Sequence, residues 1–141
     1  MKTACGVFLS LVMLAGAQQV MSRDKPLVFT EAIPLDAAKG RFDHFALGRG
    51  VLFVSALGSN AVEAINIGGR ILDHTITDVA YPQGLAFAPE MNKLFVASGR
   101  GQVHVYDSKS YAAIATIDFE GGADNMRYDE ASKRVYARLR R

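Results

Sequence analysis

The sequence predicts an all-β fold built from a repeated unit, and three observations support this prediction. Residues 52–66 read LFVSALGSNAVEAIN, and residues 94–107 read LFVASGRGQVHVYD, with the same order of apolar run, glycine turn, alternating run and closing Asx residue. After the N-terminal segment, no stretch of eleven or more residues keeps apolar side chains at helical spacing. Short strand-like runs instead alternate with turn signals. We therefore expect strands throughout the repeated region.

The repeat covers most of the chain at a spacing of 41 or 42 residues. Alignment of the units matches Phe45 with Phe87 and Tyr128, Phe53 with Phe95 and Tyr136, Val62 with Val103, and Ile76 with Ile117. The best-preserved unit holds four strand-like runs, GLAFAP, KLFVAS, QVHVYD and AAIATIDF, separated by the turns EMN, GRG and SKSY. Four strands in about 40 to 45 residues correspond to one blade of a β-propeller.

The inner strands of each unit are apolar on both faces, which favours a propeller over a β-sandwich. Residues 85–88 and 94–97 are apolar at every position, whereas a sandwich strand with one solvated face would alternate. In a propeller each blade lies between two neighbours, so its inner strands are buried on both sides. The outer strand, here residues 112–119, is expected to alternate toward solvent. A β-sandwich remains the alternative architecture.

The N-terminus has the features of a secretory signal peptide over residues 1–17, followed by a linker over residues 18–26. Lys2 is followed by the apolar run ACGVFLSLVMLAG, which is short for a bilayer span, and residues 15–17 fit the small-x-small rule for cleavage. We expect cleavage after Ala17, which would remove Cys5 and leave no cysteine for disulfides. The alternative is a first buried helix of the domain.

Three stretches within residues 40–136 carry a family resemblance, and they read LFVSALGSNAVEAIN, PQGLAFAPEMNKLFVASGRGQVHVYD and ADNMRYDEASKRVY. They resemble the YVTN-type β-propeller family, and especially its secreted bacterial members related to YncE. The resemblance implies a secreted or periplasmic protein and a complete relative of seven blades. It indicates architecture much better than activity, because fold alone does not assign a reaction.

The repeat boundaries predict an incomplete propeller of about two and a half units. Residues 27–35 match an outer strand, residues 41–81 and 82–123 form two blades, and residues 124–141 begin a further blade. Such a chain cannot close a ring. After KRVY it reads ARLRR, which departs from the family pattern, so we expect a fragment of a longer protein produced by a frameshift or premature stop. The same origin would explain the basic residues near the C-terminus, which are Lys133, Arg134, Arg138, Arg140 and Arg141.

Candidate ligand-binding residues lie in the three loops that lead into successive blades, because such loops converge on one rim of a propeller channel. The alignment places Arg41, Gln83 and Asp124 at one equivalent point. A small anion, a sugar or a metal are the ligands that such a composition could bind. The alternative is that these side chains only cap turns. This alternative is weakest for the pair Asp43 and His44. The candidates are Arg41, Asp43, His44, Gln83, Asp124, Asn125 and Arg127.

Several site classes have no support in the sequence. The haem motif CxxCH and the zinc motif HExxH are absent, and His74 and His104 fall on strands of different register, so neither a tight metal site nor a cofactor is predicted. The glycine pairs lie in hairpins, which argues against a nucleotide site, and no serine lies in a GxSxG elbow. A formal net charge of +2 gives no indication of nucleic-acid binding.

The first of three functional interpretations is an exported, non-catalytic binding or scaffold module. Its partner would be a small molecule, a protein or a cell-envelope component. The second is a propeller enzyme, lactonase-like or quinone-dependent dehydrogenase-like, with a metal or small ligand at the channel rim. The third is a nonfunctional truncated product. In each case we expect no membrane span after signal cleavage, and self-association through open blade edges.

Overall fold

The computed structural model describes residues 27–36 and 38–140, so the predicted signal peptide and linker lie outside the described residues. The chain divides into two units, Met1–Glu31 and Ala32–Arg141. The described residues of the first unit, 27–31, are exposed and belong to no helix or strand. Within the described part of the chain, no helix has the length and apolar character needed to cross a bilayer.

Ten strands in the second unit form three antiparallel sheets, each with its strands in chain order. The first sheet contains β1 (Phe42–Gly48), β2 (Val51–Ala56), β3 (Ala61–Asn66) and β4 (Ile71–Ile76). The second contains β5 (Pro82–Ala88), β6 (Lys93–Ser98), β7 (Gln102–Asp107) and β8 (Ala113–Asp118). The third pairs β9 (Ala123–Asp129) with β10 (Arg134–Leu139). We call these sheets blades 1, 2 and 3, and they confirm the predicted all-β fold of four-stranded blades.

The core lies between the blades, as the double-sided apolar pattern requires. Strand β5 packs against both β1 and β9. One apolar cluster joins blades 1 and 2 and contains Phe53, Val62, Leu94, Val96 and Tyr106 among others. A second joins blades 2 and 3 and contains Ala86, Ala97, Val103, Ala123 and Met126. Stacking against neighbouring blades is therefore what buries the inner strands.

The strands without a neighbouring blade are exposed, as expected for an incomplete propeller with open blade faces. On β1, Phe45 and Leu47 are 59% and 64% exposed. Strand β8 is exposed at all six positions and does not alternate. The reason is that no described blade precedes blade 1, and blade 3 consists of two strands that leave the outer half of blade 2 uncovered.

One terminal segment also differs from prediction. Residues 27–35 form no strand, and none of the ten strands of the described chain pairs with them. At the other end, the described part of the ARLRR segment belongs to the third blade that the repeat predicts. Strand β10 continues through Leu139, with Ala137 paired to Met126 and Leu139 paired to Ala123.

The pairing registers correct the predicted alignment of the inner strands by two residues. Phe45 pairs with Val54 and Leu85 pairs with Val96, so Phe45 is equivalent to Leu85 and not to Phe87. The cause is the hairpin between β1 and β2, which has two loop residues where the β5–β6 connection has four. Both residues of the short loop, Arg49 and Gly50, have positive φ, as a type I′ turn requires.

Candidate functional site

Each inner strand carries a β-bulge near its start. Two strand residues oppose one partner residue between Phe42 and Phe45 on β1 and between Pro82 and Leu85 on β5. The same irregularity occurs on β9, where two residues oppose one between the pairs that Ala137 and Leu139 form with Met126 and Ala123. A bulge interrupts the usual alternation of side chains and re-aims them, which suits it to a binding site. The six bulge residues, which we call the rim, are Asp43, His44, Gln83, Gly84, Asp124 and Asn125.

The corrected register makes Asp43, Gln83 and Asp124 the equivalent residues of the three bulges. The predicted equivalence of Arg41 with Gln83 and Asp124 is therefore wrong by two residues on β1. Because the shorter hairpin lies before β2, counting 41 or 42 residues back from blade 2 overshoots the bulge. Two acidic residues and one amide thus occupy the same position on neighbouring inner strands.

The structure brings three of the seven predicted site residues together. One ligand atom each from Asp43, His44 and Asp124 lies within 4.8 Å of the others. The distance between Asp43 Oδ1 and His44 Nδ1 is 3.4 Å. Asp43 belongs to blade 1 and Asp124 to blade 3, so the contact spans the width of blade 2. We call these residues the rim triad.

Gly84 permits this approach because it has no side chain. A Cβ placed on Gly84 would lie 1.9 Å from the backbone oxygen of Asp124 and 2.8 Å from the amide nitrogen of Met126. The backbones of β5 and β9 are therefore in direct contact at the bulge. The position of Asp124 relative to blade 1 depends on that contact.

Two arginines contact the outer sides of the triad carboxylates. Arg140 Nε donates to Asp124 Oδ2 at 2.9 Å, and Arg140 Nη2 forms an ion pair with the same oxygen at 2.8 Å. Arg41 Nη2 lies 3.8 Å from Asp43 Oδ2, and the Arg41 side chain is 70% exposed. In both aspartates the arginine engages Oδ2, so Oδ1 is not taken by that guanidinium. The short Arg140 contact restrains the Asp124 carboxylate, whereas the exposed Arg41 contact with Asp43 is weaker.

Two buried atoms at the rim have no hydrogen-bond partner in the described part of the chain. They are His44 Nδ1 and Gln83 Oε1. Gln83 is 6% exposed, and its backbone oxygen accepts a hydrogen bond of 2.5 Å from the Ser55 hydroxyl. Buried polar atoms in native proteins almost always have a partner, and exceptions often mark a site for an ion or ligand.

Hydrogen bonds from neighbouring turns hold the rim loops. Ser98 Oγ donates to the Ala80 oxygen at 2.6 Å, and the Tyr81 amide donates to Asn60 Oδ1 at 2.9 Å. In blade 1, the Lys39 amide donates to Ser59 Oγ at 2.7 Å. These bonds anchor the segments that lead into β1 and β5, so the rim is supported by the scaffold of the blades.

The remaining predicted site residues do not join the triad. Arg127 donates from Nη1 to Asn125 Oδ1 at 2.6 Å and to the Met126 oxygen at 2.7 Å. Asn125 and Arg127 instead line a depression of about 320 Å³ on the pair β9–β10, together with Tyr136 and Arg138. His74 stacks on Tyr111, and His104 contacts Thr116, so these histidines have structural contacts away from the rim.

Sequence reasoning missed Arg140 and Ser55. Arg140 was assigned to a tail without a role, yet it holds Asp124 from the end of β10. Arg140 follows the second strand of blade 3 as Gly99 follows the second strand of blade 2, so the two positions are equivalent. Gly99 lies next to Gln83, and the repeat therefore places Arg140 next to Asp124. Ser55 is one of several serines, and its contact with Gln83 depends on packing between blades, which no local pattern encodes.

Comparison with known proteins identifies the fold. No protein-family model and no curated protein matches the chain. Among solved structures it resembles hydrazine synthase of Kuenenia stuttgartiensis, with 18% identity, a TM-score of 0.60, and coverage of 64% of this chain and 26% of that one. It also resembles Sqt1 of Saccharomyces cerevisiae, with 13% identity, a TM-score of 0.63, and coverage of 70% and 29%. It also resembles the apo form of AztD from Citrobacter koseri, with 18% identity, a TM-score of 0.55, and coverage of 69% of this chain and 26% of that one.

These similarities concern fold alone, because all three identities are low. The chain spans between a quarter and three tenths of the length of each of these structures. Together with the blade topology, the comparisons show that the described chain is an incomplete β-propeller.

Proposed function

We propose that the chain is an exported, non-catalytic β-propeller binding module of the YVTN type, with its ligand site at the rim. The observation that carries the proposal is the convergence of Asp43, His44 and Asp124 from two different blades. Side chains that only cap turns contact their own loops. The triad instead collects groups that are about eighty residues apart in the sequence, as binding sites on rigid scaffolds do.

A non-catalytic role is supported by the way the buried hydroxyls are used. Ser55 Oγ and Ser98 Oγ both donate to backbone carbonyl oxygens, of Gln83 and Ala80 respectively. Within the described residues neither hydroxyl has a general base as its hydrogen-bond partner, and an activated serine nucleophile needs such a base. The proposed role of both hydroxyls is to hold the rim.

The experiment that tests rim binding compares variants on purified, tag-free protein. Nuclear magnetic resonance titrations use one probe of each ligand class, which are inorganic phosphate, galactose and zinc sulfate. We expect at least one probe to shift rim resonances in the wild type, with the shifts lost in Asp43→Asn and in His44→Gln. The matched controls Glu130→Gln and His74→Gln remove an exposed acid and an exposed histidine away from the rim and should bind as the wild type does.

Circular dichroism distinguishes a binding defect from a folding defect in the same variants. A rim variant that keeps its β signal and loses binding supports the proposal. If both rim variants keep all probe shifts of the wild type, or if the wild type binds none of the probes, the rim is structural and the proposal is wrong.

Export is the second part of the proposal, and it rests on the signal-peptide features of residues 1–17. Lys2, the apolar run and the Ala15–Ala17 cleavage pattern support secretion to the periplasm or the medium. Mass spectrometry of the chain recovered from the exported fraction should give a mature N-terminus near Gln18. Recovery of the intact chain with Met1 from the cytoplasm would contradict export.

The exposed blade faces support a scaffold role with a protein or cell-envelope partner. The apolar side chains of β1 and β8, including Phe45, Leu47, Ile114 and Ile117, are each about half exposed or more. Apolar surface of this kind commonly marks a contact with another protein. A second copy of this chain is one such partner, and self-association through the open faces belongs to the proposal.

The rim triad also favours the metal-dependent enzyme as a second candidate function. A propeller hydrolase of lactonase type needs a metal ion with an open position for water, and the triad supplies three ligand groups. The discriminating assay is hydrolysis of a simple lactone by the zinc-loaded chain. Lactone hydrolysis by the wild type that is lost in His44→Gln would favour the enzyme. If the wild type does not hydrolyse the lactone, the binding module is favoured.

A further inference from the structure

We propose that the rim triad binds one divalent transition-metal ion of the zinc class, through one carboxylate oxygen each of Asp43 and Asp124 and through Nδ1 of His44. The inference deepens the proposed rim function, because it names the ligand of that site. Four observations support it, and they concern spacing, unsatisfied atoms, donor chemistry and charge.

The spacing of the triad atoms suits a metal ion. Zinc bonds to nitrogen and oxygen ligands are about 2.1 Å long, so two ligands on one tetrahedral ion are about 3.4 Å apart. Asp43 Oδ1 and His44 Nδ1 are separated by 3.4 Å. Asp124 contributes the third atom within 4.8 Å of both, a gap that a small side-chain movement would close. The β1 bulge is what directs two consecutive side chains to the same point.

The contact between Asp43 Oδ1 and His44 Nδ1 favours a cation. The two atoms do not have hydrogen-bond geometry, since Nδ1 has no hydrogen-bond partner in the described chain although it is buried. In the tautomer in which Nδ1 carries the lone pair, this nitrogen and the carboxylate oxygen are both electron-pair donors. A cation between them accommodates both donors.

Gln83 supplies an independent observation of the same kind. It holds the register position equivalent to Asp43 and Asp124 on the strand between them. Its side chain is more than nine-tenths buried, and Oε1 has no partner in the described part of the chain. A buried acceptor without a partner at this register position marks the rim as a place where a further donor is expected.

The donor set selects the class of ion. One imidazole and two carboxylates suit zinc and neighbouring transition metals, whereas calcium takes six to eight oxygen ligands. The two carboxylates supply the negative charge that attracts a cation, and they share it with Arg41 and Arg140, which approach Oδ2 of each.

Metal counting on tag-free, exported protein tests the inference. The chain is dialysed against micromolar zinc sulfate, and the bound metal is measured by mass spectrometry of the ions. We expect about one zinc per chain, with at least a tenfold loss of affinity in His44→Gln and in Asp124→Asn. The controls His74→Gln and Glu130→Gln should retain the metal. Equal zinc content in all five proteins would overturn the inference.

X-ray absorption of the zinc-loaded wild type provides a test that needs no variant, in case a rim variant does not fold. We expect nitrogen and oxygen neighbours at about 2.0–2.1 Å and the scattering signature of a single imidazole. Two or more imidazoles, or no imidazole, would overturn the inference.

The probe series separates the two proposals. If zinc does not bind while phosphate or galactose still shifts rim resonances, the metal inference is wrong and the rim function stands. If none of the three probes binds, both proposals are wrong.

Discussion

Replacement of Gly84 by alanine tests whether the contact between blades 2 and 3 builds the rim. The added Cβ would lie 1.9 Å from the Asp124 backbone oxygen, whereas ordinary contact begins near 3.4 Å. Strands β5 and β9 must therefore move apart by about 1.5 Å, or β9 must lose its bulge. Such overpacking costs about 1–3 kcal/mol, a large part of the stability of a small domain. We expect the unfolding midpoint to fall by about 5–20 °C.

The assay is thermal and urea unfolding followed by circular dichroism, with Gly68→Ala as the matched control. A Cβ on Gly68 meets only Asn66 Oδ1 at 3.5 Å, so this variant should unfold as the wild type does. Because Asp124 moves with β9, Gly84→Ala should also lose the binding that we propose for the rim. Equal midpoints for the two alanine variants and the wild type would refute the direct contact between the two inner strands.

Two further predictions concern acid stability and association. The pKa of Asp107 is lowered from 3.8 to about 2, chiefly by the Ser110 amide and then by the Lys109 amide. Because the pKa of Asp107 is lower in the folded state, its ionised carboxylate stabilises the fold fully above about pH 4, and this stabilisation is lost as the pH falls toward 2. Unfolding midpoints measured across that range should therefore fall in the wild type, and Asp107→Asn should lack this decrease. The chain should self-associate through the exposed face of β1 as its concentration rises. The molar mass measured by light scattering after size exclusion should therefore increase for the wild type and increase less for Phe45→Asp. A wild type that stays monomeric at every concentration would argue against association.

Much of the fold could be predicted because its causes are local or periodic. The matched runs around Phe53 and Phe95 place β2 and β6 correctly, and their apolar character on both faces indicates neighbours on both sides. The exposure of β1 follows from the count of blades and not from the strand pattern. A strand pattern records the neighbours that a blade is built to contact, and it does not show whether they are present.

The site could be predicted in composition but not in arrangement. Loops leading into blades pointed to Asp43, His44 and Asp124, since such loops converge on a rim. The two-residue difference between hairpins shifted the alignment and made Arg41 the equivalent of Asp124. The contact between Asp124 and blade 1 depends on Gly84, whose role becomes visible only when the strands are in place.

The short β1–β2 hairpin shows that the two ends of a blade tolerate change differently. This hairpin is two residues shorter than the β5–β6 connection, yet β2 and β6 pair in equivalent registers. The bulges at the starts of β1 and β5 also remain equivalent. Arg49 in that hairpin donates to Asn92 Oδ1 at 3.2 Å and to the Pro89 oxygen, so the shortened turn still fastens to the next blade. An engineer who needs to graft a reporter or an affinity peptide onto this scaffold should therefore choose the end of the blades that carries these hairpins. At the opposite end, a single inserted residue would rotate a bulge and displace the side chains that depend on it.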